Sequence, residues 1–153
     1  MLAYSAADNT DHVIAFISSP SAFVSFQQKY PSVPAILLEF DTRFARAFPQ
    51  HFYPFDYRDP VSSSLLPMKA NVFVVDPPFL SEECLTRTMH HVEKISAEHP
   101  KIILCTGAIM QNLAKDQYHL KCVHWRPKHQ ADRLSNEFRC FTNFESAHFI
   151  WEG

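Results

Sequence analysis

The sequence predicts one α/β domain with a mostly parallel, twisted, Rossmann-like sheet and a C-terminal antiparallel hairpin. Short apolar runs alternate with segments of helical periodicity along most of the chain, and turns rich in proline or serine separate them. Near the C-terminus, two strand-like stretches follow each other without a helix between them. Alternating strands and helices form parallel sheets with right-handed crossovers, whereas adjacent strands form a hairpin. The length of 153 residues fits a single core.

The first half of the chain contains three predicted strands: residues 12–18 (HVIAFIS), 35–40 (AILLEF) and 52–57 (FYPFDY). A helix over residues 22–30 follows the first of them and begins at Pro20 or Ser21. Because proline cannot donate to a neighbouring strand, Pro54 indicates that the third strand lies at an edge of the sheet.

The second half continues the alternation and ends in the hairpin. Ser81 is predicted to cap a helix whose end is marked by Pro100, and a second helix covers residues 108–118. The predicted strands are residues 71–75 (NVFVV), 102–105 (IILC), 120–125 and 137–144.

Composition argues against several classes of protein. The formal net charge of -2 gives no basic field that would attract nucleic acid, and no apolar run approaches the roughly 20 residues that cross a bilayer. Residues 1–11 lack the features of a signal peptide, so we expect a cytoplasmic protein, and we expect it to be monomeric. We expect no metal site, because the cysteines form no C-x-x-C pair and suit buried reduced thiols: Cys84, Cys105, Cys122 and Cys140.

Polar residues follow three predicted strands, where a parallel sheet binds its ligand. The first strand is followed by a serine- and proline-rich turn where nucleoside binders usually have glycines, although an ordinary helix cap is an alternative interpretation. A carboxylate after the second strand could accept ribose hydroxyls, and an acid and a ring after the third could contact adenine, although surface turns often contain such residues. The candidates for cofactor binding are Ser18, Ser19, Pro20, Ser21, Glu39 or Asp41, and Asp56 with Tyr57.

The tetrapeptide Asp76-Pro77-Pro78-Phe79 ends an apolar strand just before a capped helix. Methyl transfer to an amine is an in-line displacement, so the enzyme must aim a nitrogen lone pair at the methyl carbon and exclude water. Asp76 and the Pro77 carbonyl could accept N–H hydrogens of the amine, while the prolines stiffen the loop. Phe79 could pack on a flat base or against a developing cation. A strand terminator with a proline helix start is the alternative.

Longer motifs make the chain resemble a known family. They are VIAFISSPS (13–21), LEFDTRF (38–44), FDYRDP (55–60), VDPPFLSEECLTRT (75–88), KIILCTGAIM (101–110) and NEFRCFTN (136–143). The family is the lysine methyltransferases of translation elongation factor 1-alpha, earlier described as N6-adenine-specific DNA methyltransferases. The resemblance implies a class I methyltransferase fold, S-adenosylmethionine as methyl donor, and a lysine of the elongation factor as acceptor. It implies a reaction centre at residues 76–79.

Alternatives to that function remain open. Members of the family carry a helical segment with a QFWYS motif ahead of the first strand, and we expect this single domain, residues 1–153, to lack it. A non-catalytic binding module is therefore one alternative. Methylation of an exocyclic base nitrogen is another, because the same acceptor geometry suits it, but base extrusion requires phosphate contacts. The basic cluster that could provide them is confined to one loop: Arg126, Lys128, His129 and Arg133.

Overall fold

A computed structural model of the chain describes residues 12–127 and 137–153. The described elements, in chain order, are β1 (Ile14–Ile17), α1 (Pro20–Lys29), β2 (Ala35–Glu39), α2 (Arg43–Ala47), β3 (Phe52–Pro54), β4 (Ala70–Val75), α3 (Glu82–Ile95), β5 (Ser96–Gly107), α4 (Gln111–Tyr118), β6 (Lys121–Cys122) and β7 (Phe138–Thr142). Two short 3-10 segments, Ser62–Leu65 and Ala108–Met110, lie before β4 and α4.

The described strands form one sheet in the order β3-β2-β1-β4-β5-β7-β6. Parallel pairing joins the strands from β3 to β5, and β7 runs antiparallel between β5 and β6. The predicted parallel sheet with a C-terminal antiparallel hairpin is confirmed. The edge position predicted for the strand with Pro54 is confirmed as well.

Both faces of the sheet are covered, which explains why its central strands are continuous apolar runs. On one face, Phe23 and Phe26 of α1 pack against Phe16 of β1, with ring centroids 5.6 and 5.4 Å from the Phe16 ring. On the other face, Leu85 and Met89 of α3 join the cluster that contains the alternate strand residues. Ser81 caps α3 by accepting a hydrogen bond from the Cys84 amide at 3.1 Å, as predicted.

Two sequence predictions of local structure are wrong or incomplete. Pro100 does not mark the end of α3, which ends at Ile95; it lies within β5, where the pairing with β4 shifts register beside His99, a residue with φ 52°. Proline is tolerated there because, at such an irregularity, no backbone N–H is needed for a hydrogen bond to the neighbouring strand. The short helix α2 was not predicted.

No helix among the described residues is long and apolar enough to cross a membrane. Residues 1–11, on which the predicted absence of a helical segment depends, lie outside the described part of the chain.

Candidate active site

The carboxyl ends of the central strands lie level, which brings four residues side by side. Ile17 of β1 is in register with Leu38 of β2 and with Val75 of β4, and Val75 is in register with Leu104 of β5. The residues that follow are therefore neighbours across the edge, in the order Glu39, Ser18, Asp76, Cys105. Three of these four positions are sequence-predicted site residues, and only Cys105 was not predicted.

The turn after β1 is held in an unusual conformation. Ser18 has φ 54°, a left-handed conformation that costs a non-glycine residue about 1–2 kcal/mol. Its amide donates to the Leu38 carbonyl at 2.9 Å. Ser19 occupies the N-cap position of α1 but makes no side-chain cap; its hydroxyl donates to the Val74 carbonyl at 3.1 Å. The positions of Ser19 at the N-cap and Pro20 at the start of the helix agree with the alternative of an ordinary serine-proline cap, although the Ser19 hydroxyl does not cap the helix; Ser21 is exposed.

The two carboxylates after β2 differ in their surroundings. Asp41 is held by Arg43, whose Nη2 lies 2.7 Å from Oδ2, and these hydrogen bonds lower the pKa of Asp41 below its ordinary value. Glu39 is the last residue of β2, and its Oε2 accepts the Asp41 amide at 2.6 Å. Glu39 thus lies in the row of strand ends, and no arginine of the described residues is bound to it, so it is the better candidate for a ribose contact.

Asp56 and Tyr57 follow β3 but have separate surroundings. The Asp56 carboxylate accepts hydrogen bonds from the amide and guanidinium of Arg58, which lower the pKa of Asp56 below its ordinary value. The Tyr57 ring lies 6.3 Å from the Phe79 ring, centroid to centroid, at an angle of 65°. Tyr57 is therefore brought to the predicted reaction centre and not only to the predicted adenine end.

The predicted reaction centre lies beside the turn after β1. The Asp76 amide donates to the Ile17 carbonyl at 3.1 Å, which fixes the start of the tetrapeptide against β1. Pro77 is buried, whereas Pro78 is exposed and the Phe79 side chain is 60% exposed. Asp76 also acts on its neighbour Cys105, although contact with Cys140 and burial are the larger causes that raise the pKa of Cys105 well above its ordinary value. Cys105 is therefore a neutral thiol and not a nucleophile.

A groove that the sequence did not reveal opens beside Asp56. Its volume is about 360 Å³, and the residues that line it include Phe40, Pro54, Asp56, Val61 and Leu65. The side chains of Phe40, Val61 and Leu65 are each at least 63% exposed. An apolar groove next to Glu39 and Asp56 suits a flat nucleoside base. The sequence signal that could have indicated Phe40 is its position as an apolar residue directly after Glu39, the acidic end of β2.

A buried histidine holds the segment that carries Asp56 and Tyr57. His91 of α3 lies 3.2 Å from the Tyr57 carbonyl through Nε2 and 2.7 Å from the Ser63 hydroxyl through Nδ1. A carbonyl can only accept, so Nε2 carries the proton and Nδ1 accepts from Ser63. The edge-on Phe55 ring, 4.9 Å away, completes the enclosure. The hydrogen-bond partners of His91 are 28 and 34 residues away from it in the sequence, so no local sequence pattern revealed this histidine.

Among the described residues, no group of histidine, cysteine or acidic side chains could hold a metal ion. Of the predicted basic cluster, Arg126 forms an ion pair with Glu152 and donates to the Val123 carbonyl. Lys128, His129 and Arg133 lie outside the described residues.

The fold and this arrangement of strand ends define a class I methyltransferase. A precorrin-6y C5,15-methyltransferase from Geobacter metallireducens has a TM-score of 0.59 at 15% identity, covering 94% of this chain and 84% of that one. The fibrillarin/Nop5p complex contains a chain with a TM-score of 0.60 at 12% identity, covering 88% of this chain and 72% of that one. These likenesses show the fold and confirm the predicted fold class.

The family described as "Probable N6-adenine methyltransferase" matches residues 1–146, and the chain belongs to this family. EEF1A lysine methyltransferase 1 of Danio rerio is 42% identical to it, over 87% of this chain and 81% of the relative. A protein-lysine N-methyltransferase of Caenorhabditis elegans is 36% identical, over 89% of this chain and 64% of the relative. The human EEF1A lysine methyltransferase 1 is 35% identical, over 87% of this chain and 62% of the relative. The chain thus spans less than two thirds of the worm and human relatives, and the resemblance stated from sequence is confirmed.

The buried His91 makes the stability of the fold depend on pH. Burial lowers the pKa of His91 below its ordinary value, so below about pH 6.5 the unfolded chain binds a proton that the folded chain does not. The free energy of unfolding should therefore fall as the pH is lowered from about 7.5 to 5.5, and His91→Gln should reduce this fall. Urea denaturation at several pH values measures it. The exposed neighbour serves as the control: a His90→Gln variant with the same reduced pH dependence would contradict the assignment to His91.

The contrast between Glu39 and Asp41 predicts unequal effects on cofactor binding. Glu39→Ala should weaken the affinity for S-adenosylmethionine roughly ten- to hundredfold, because a hydrogen bond to a charged group contributes about 1.5–3 kcal/mol. Asp41→Ala should change it much less, since that carboxylate is held by Arg43. Isothermal calorimetry on both folded variants measures the two affinities, and a larger loss in Asp41→Ala would reverse the assignment.

Proposed function

We propose that the chain is an S-adenosylmethionine-dependent protein-lysine N-methyltransferase that modifies translation elongation factor 1-alpha in the cytoplasm. The observation that carries the proposal is the position of Asp76-Pro77 at the level edge of the sheet, between the turn after β1 and Cys105. The fish, worm and human relatives are named as lysine methyltransferases, which supports lysine as the acceptor.

The residues at the edge fit the cofactor. Glu39 would hold the ribose hydroxyls, the turn from Ser18 to Ser21 would contact the methionine portion, and the groove beside Phe40 and Asp56 would take adenine. The left-handed Ser18 supports this because backbone strain of that kind persists at ligand sites, where the surrounding structure holds it. When bound, the cofactor supplies a methyl group on a sulfonium that an amine can displace.

The chain's own residues orient the acceptor. Asp76 and the Pro77 carbonyl accept hydrogen bonds from the amine, which aims the lone pair, and the buried Pro77 limits the loop's freedom. Phe79, with Tyr57 beside it, faces the cation that develops on nitrogen during transfer. A lysine ammonium has an ordinary pKa of about 10.4 and must first lose a proton, so activity rises with pH through the neutral to alkaline range.

Charge at this edge favours a protein over a nucleic acid. Three of its arginines are neutralised by an acid two residues earlier: Arg43 by Asp41 at 2.7 Å, Arg58 by Asp56 at 3.1 Å, and Arg139 by Glu137 at 2.8 Å. Paired guanidinium groups offer little to phosphates, which dominate the affinity of nucleic-acid binders. Methylation of adenine in nucleic acid is the second candidate, and it is supported by the description of the matching family as a probable N6-adenine methyltransferase. A catalytically inactive module is the third.

Asp76 is predicted to act in transfer and not in cofactor binding. Asp76→Ala should lower the turnover number on the order of a hundred- to a thousandfold, as the loss of one preorganised polar group does, and leave the cofactor affinity within a few-fold. Asp116→Ala, an exposed change on α4, is the matched control and should retain wild-type activity. Steady-state kinetics with calorimetry measure both effects. An Asp76→Ala enzyme that folds and keeps more than about a tenth of the activity would contradict this role.

The acceptor is tested by offering purified elongation factor 1-alpha and adenine-containing oligonucleotides separately, with mass spectrometry of both. We expect methylated lysine in the factor, unmodified oligonucleotide, and a rate that increases with pH. Methylated adenine beside an unmodified factor would overturn the substrate assignment. Cofactor binding without transfer to either would favour the inactive module.

A further inference from the structure

Two exposed and two half-buried apolar side chains lie near one another beyond the ends of β4 and β5. The Phe79 side chain is 60% exposed and the Ile109 side chain is 70% exposed. Leu80 and Ile109 both lie within 4 Å of the point where a Cβ of Gly107 would stand, with Leu80 Cδ2 at 3.0 Å from it. Tyr57 lies beside Phe79, at 6.3 Å between ring centroids. We call Tyr57, Phe79, Leu80 and Ile109 the apolar rim.

Tyr57 packs partly against the core, but core packing does not account for the exposure of Phe79 and Ile109. Ile109 lies in the 3-10 segment Ala108–Met110, whose core contact is made by the buried Met110. A Cβ at Gly107 would stand 3.0 Å from Leu80 Cδ2, so the end of the Leu80 side chain would have to shift slightly to admit one. The φ of Gly107 is -70°, which any residue can adopt, so the position does not require the backbone freedom of glycine.

Acidic groups border the apolar rim. Glu82 and Glu83 are exposed in the first turn of α3, directly after Phe79 and Leu80 in the sequence, and Glu83 pairs with Arg87 at 3.2 Å. The Glu137 carbonyl accepts a hydrogen bond from the Ala108 amide at 2.7 Å, which holds Glu137 beside the Ile109 loop, but its carboxylate pairs with Arg139 at 2.8 Å. Glu82 is therefore the border acid that has no ion pair among the described residues. The apolar rim with this acidic border fits a protein segment that carries a lysine and an apolar neighbour, and it repels phosphates.

We propose that the apolar rim is a docking surface for the protein substrate, on which an apolar side chain beside the target lysine packs against Ile109. This inference rests on the proposed function and extends it from the reacting amine to the recognition of the surrounding segment. Because Ile109 does not belong to the proposed acceptor or cofactor contacts, it contributes to substrate binding and leaves the chemical step unchanged.

The experiment measures the affinity of purified elongation factor 1-alpha for the chain together with the kinetics of transfer, for wild type, Ile109→Ser, Ile109→Leu and Ile150→Ser. Ile109→Ser should weaken binding and raise the Michaelis constant for the factor about tenfold, with unchanged turnover number and S-adenosylmethionine affinity. Ile109→Leu should resemble wild type. Ile150→Ser, the control, removes a side chain that is 57% exposed beside β6 and should have no effect.

The outcomes distinguish failure of the docking surface from failure of the proposed function. Ile109→Ser that binds the factor within twofold of wild type, or Ile150→Ser that weakens binding equally, would overturn the docking surface and leave the proposed function standing. A wild-type chain that binds the factor through Ile109 but transfers no methyl group would overturn the proposed function and retain the docking surface. A wild-type chain that neither binds nor modifies the factor would overturn both.

Discussion

The level parallel register of β1, β2, β4 and β5 is the constraint on which the site depends. Ile17 has a partner on each side, Leu38 and Val75, so the strand that precedes the turn at Ser18 also fixes where both neighbouring strands end. A shift of one residue would move every core side chain of a strand to the opposite face, so burial specifies the register strongly. The position of Asp76 relative to Ser18 is thus determined by the apolar core and not by the loops.

The same edge uses short-range ion pairs, whose effect is on charge and geometry and not on stability. Exposed pairs such as Asp41–Arg43 contribute little to stability, because solvent screens the attraction. Each pair nevertheless holds its arginine over the local turn and cancels its charge. What remains beside the reaction centre is an acidic and apolar surface, formed by Phe79, Ile109 and the first turn of α3. The selectivity proposed for a lysine in a protein follows from what these pairs remove from the edge.

Sequence reasoning predicted the elements whose signal is local. Two buried strands were predicted from their continuous apolar runs: Ala35–Glu39 and Ala70–Val75. The helix Glu82–Ile95 was predicted because apolar residues recur at helical spacing along one of its faces. The five-residue helix α2 is too short to show a period, and its stability comes from packing. Pro100 suggested a helix end, because sequence alone does not reveal that β5 continues through an irregularity.

The residues of the candidate site also divide into those with a local sequence signal and those whose contacts only the structure reveals. Asp76, Glu39 and the turn at Ser18 could be predicted because each follows a recognisable strand. The contact of Tyr57 with Phe79 and the hydrogen bonds of His91 join residues far apart in the chain, and no periodicity reports such pairs. The choice between Glu39 and Asp41 also required the structure, since only the bound guanidinium of Arg43 distinguishes two acids separated by one residue.

The turn after β1 forms without either of the chain's two glycines. Ser18 takes the left-handed conformation itself, and its strain of about 1–2 kcal/mol is offset by ordered contacts: its amide bonds to Leu38, and the hydroxyl of Ser19 bonds to Val74. These partners belong to β2 and β4, so the turn is held by both strands that flank β1. A turn fixed in this way loses little conformational freedom when a ligand binds, which favours binding. In glycine-rich turns, binding is favoured instead because the backbone can approach the ligand closely.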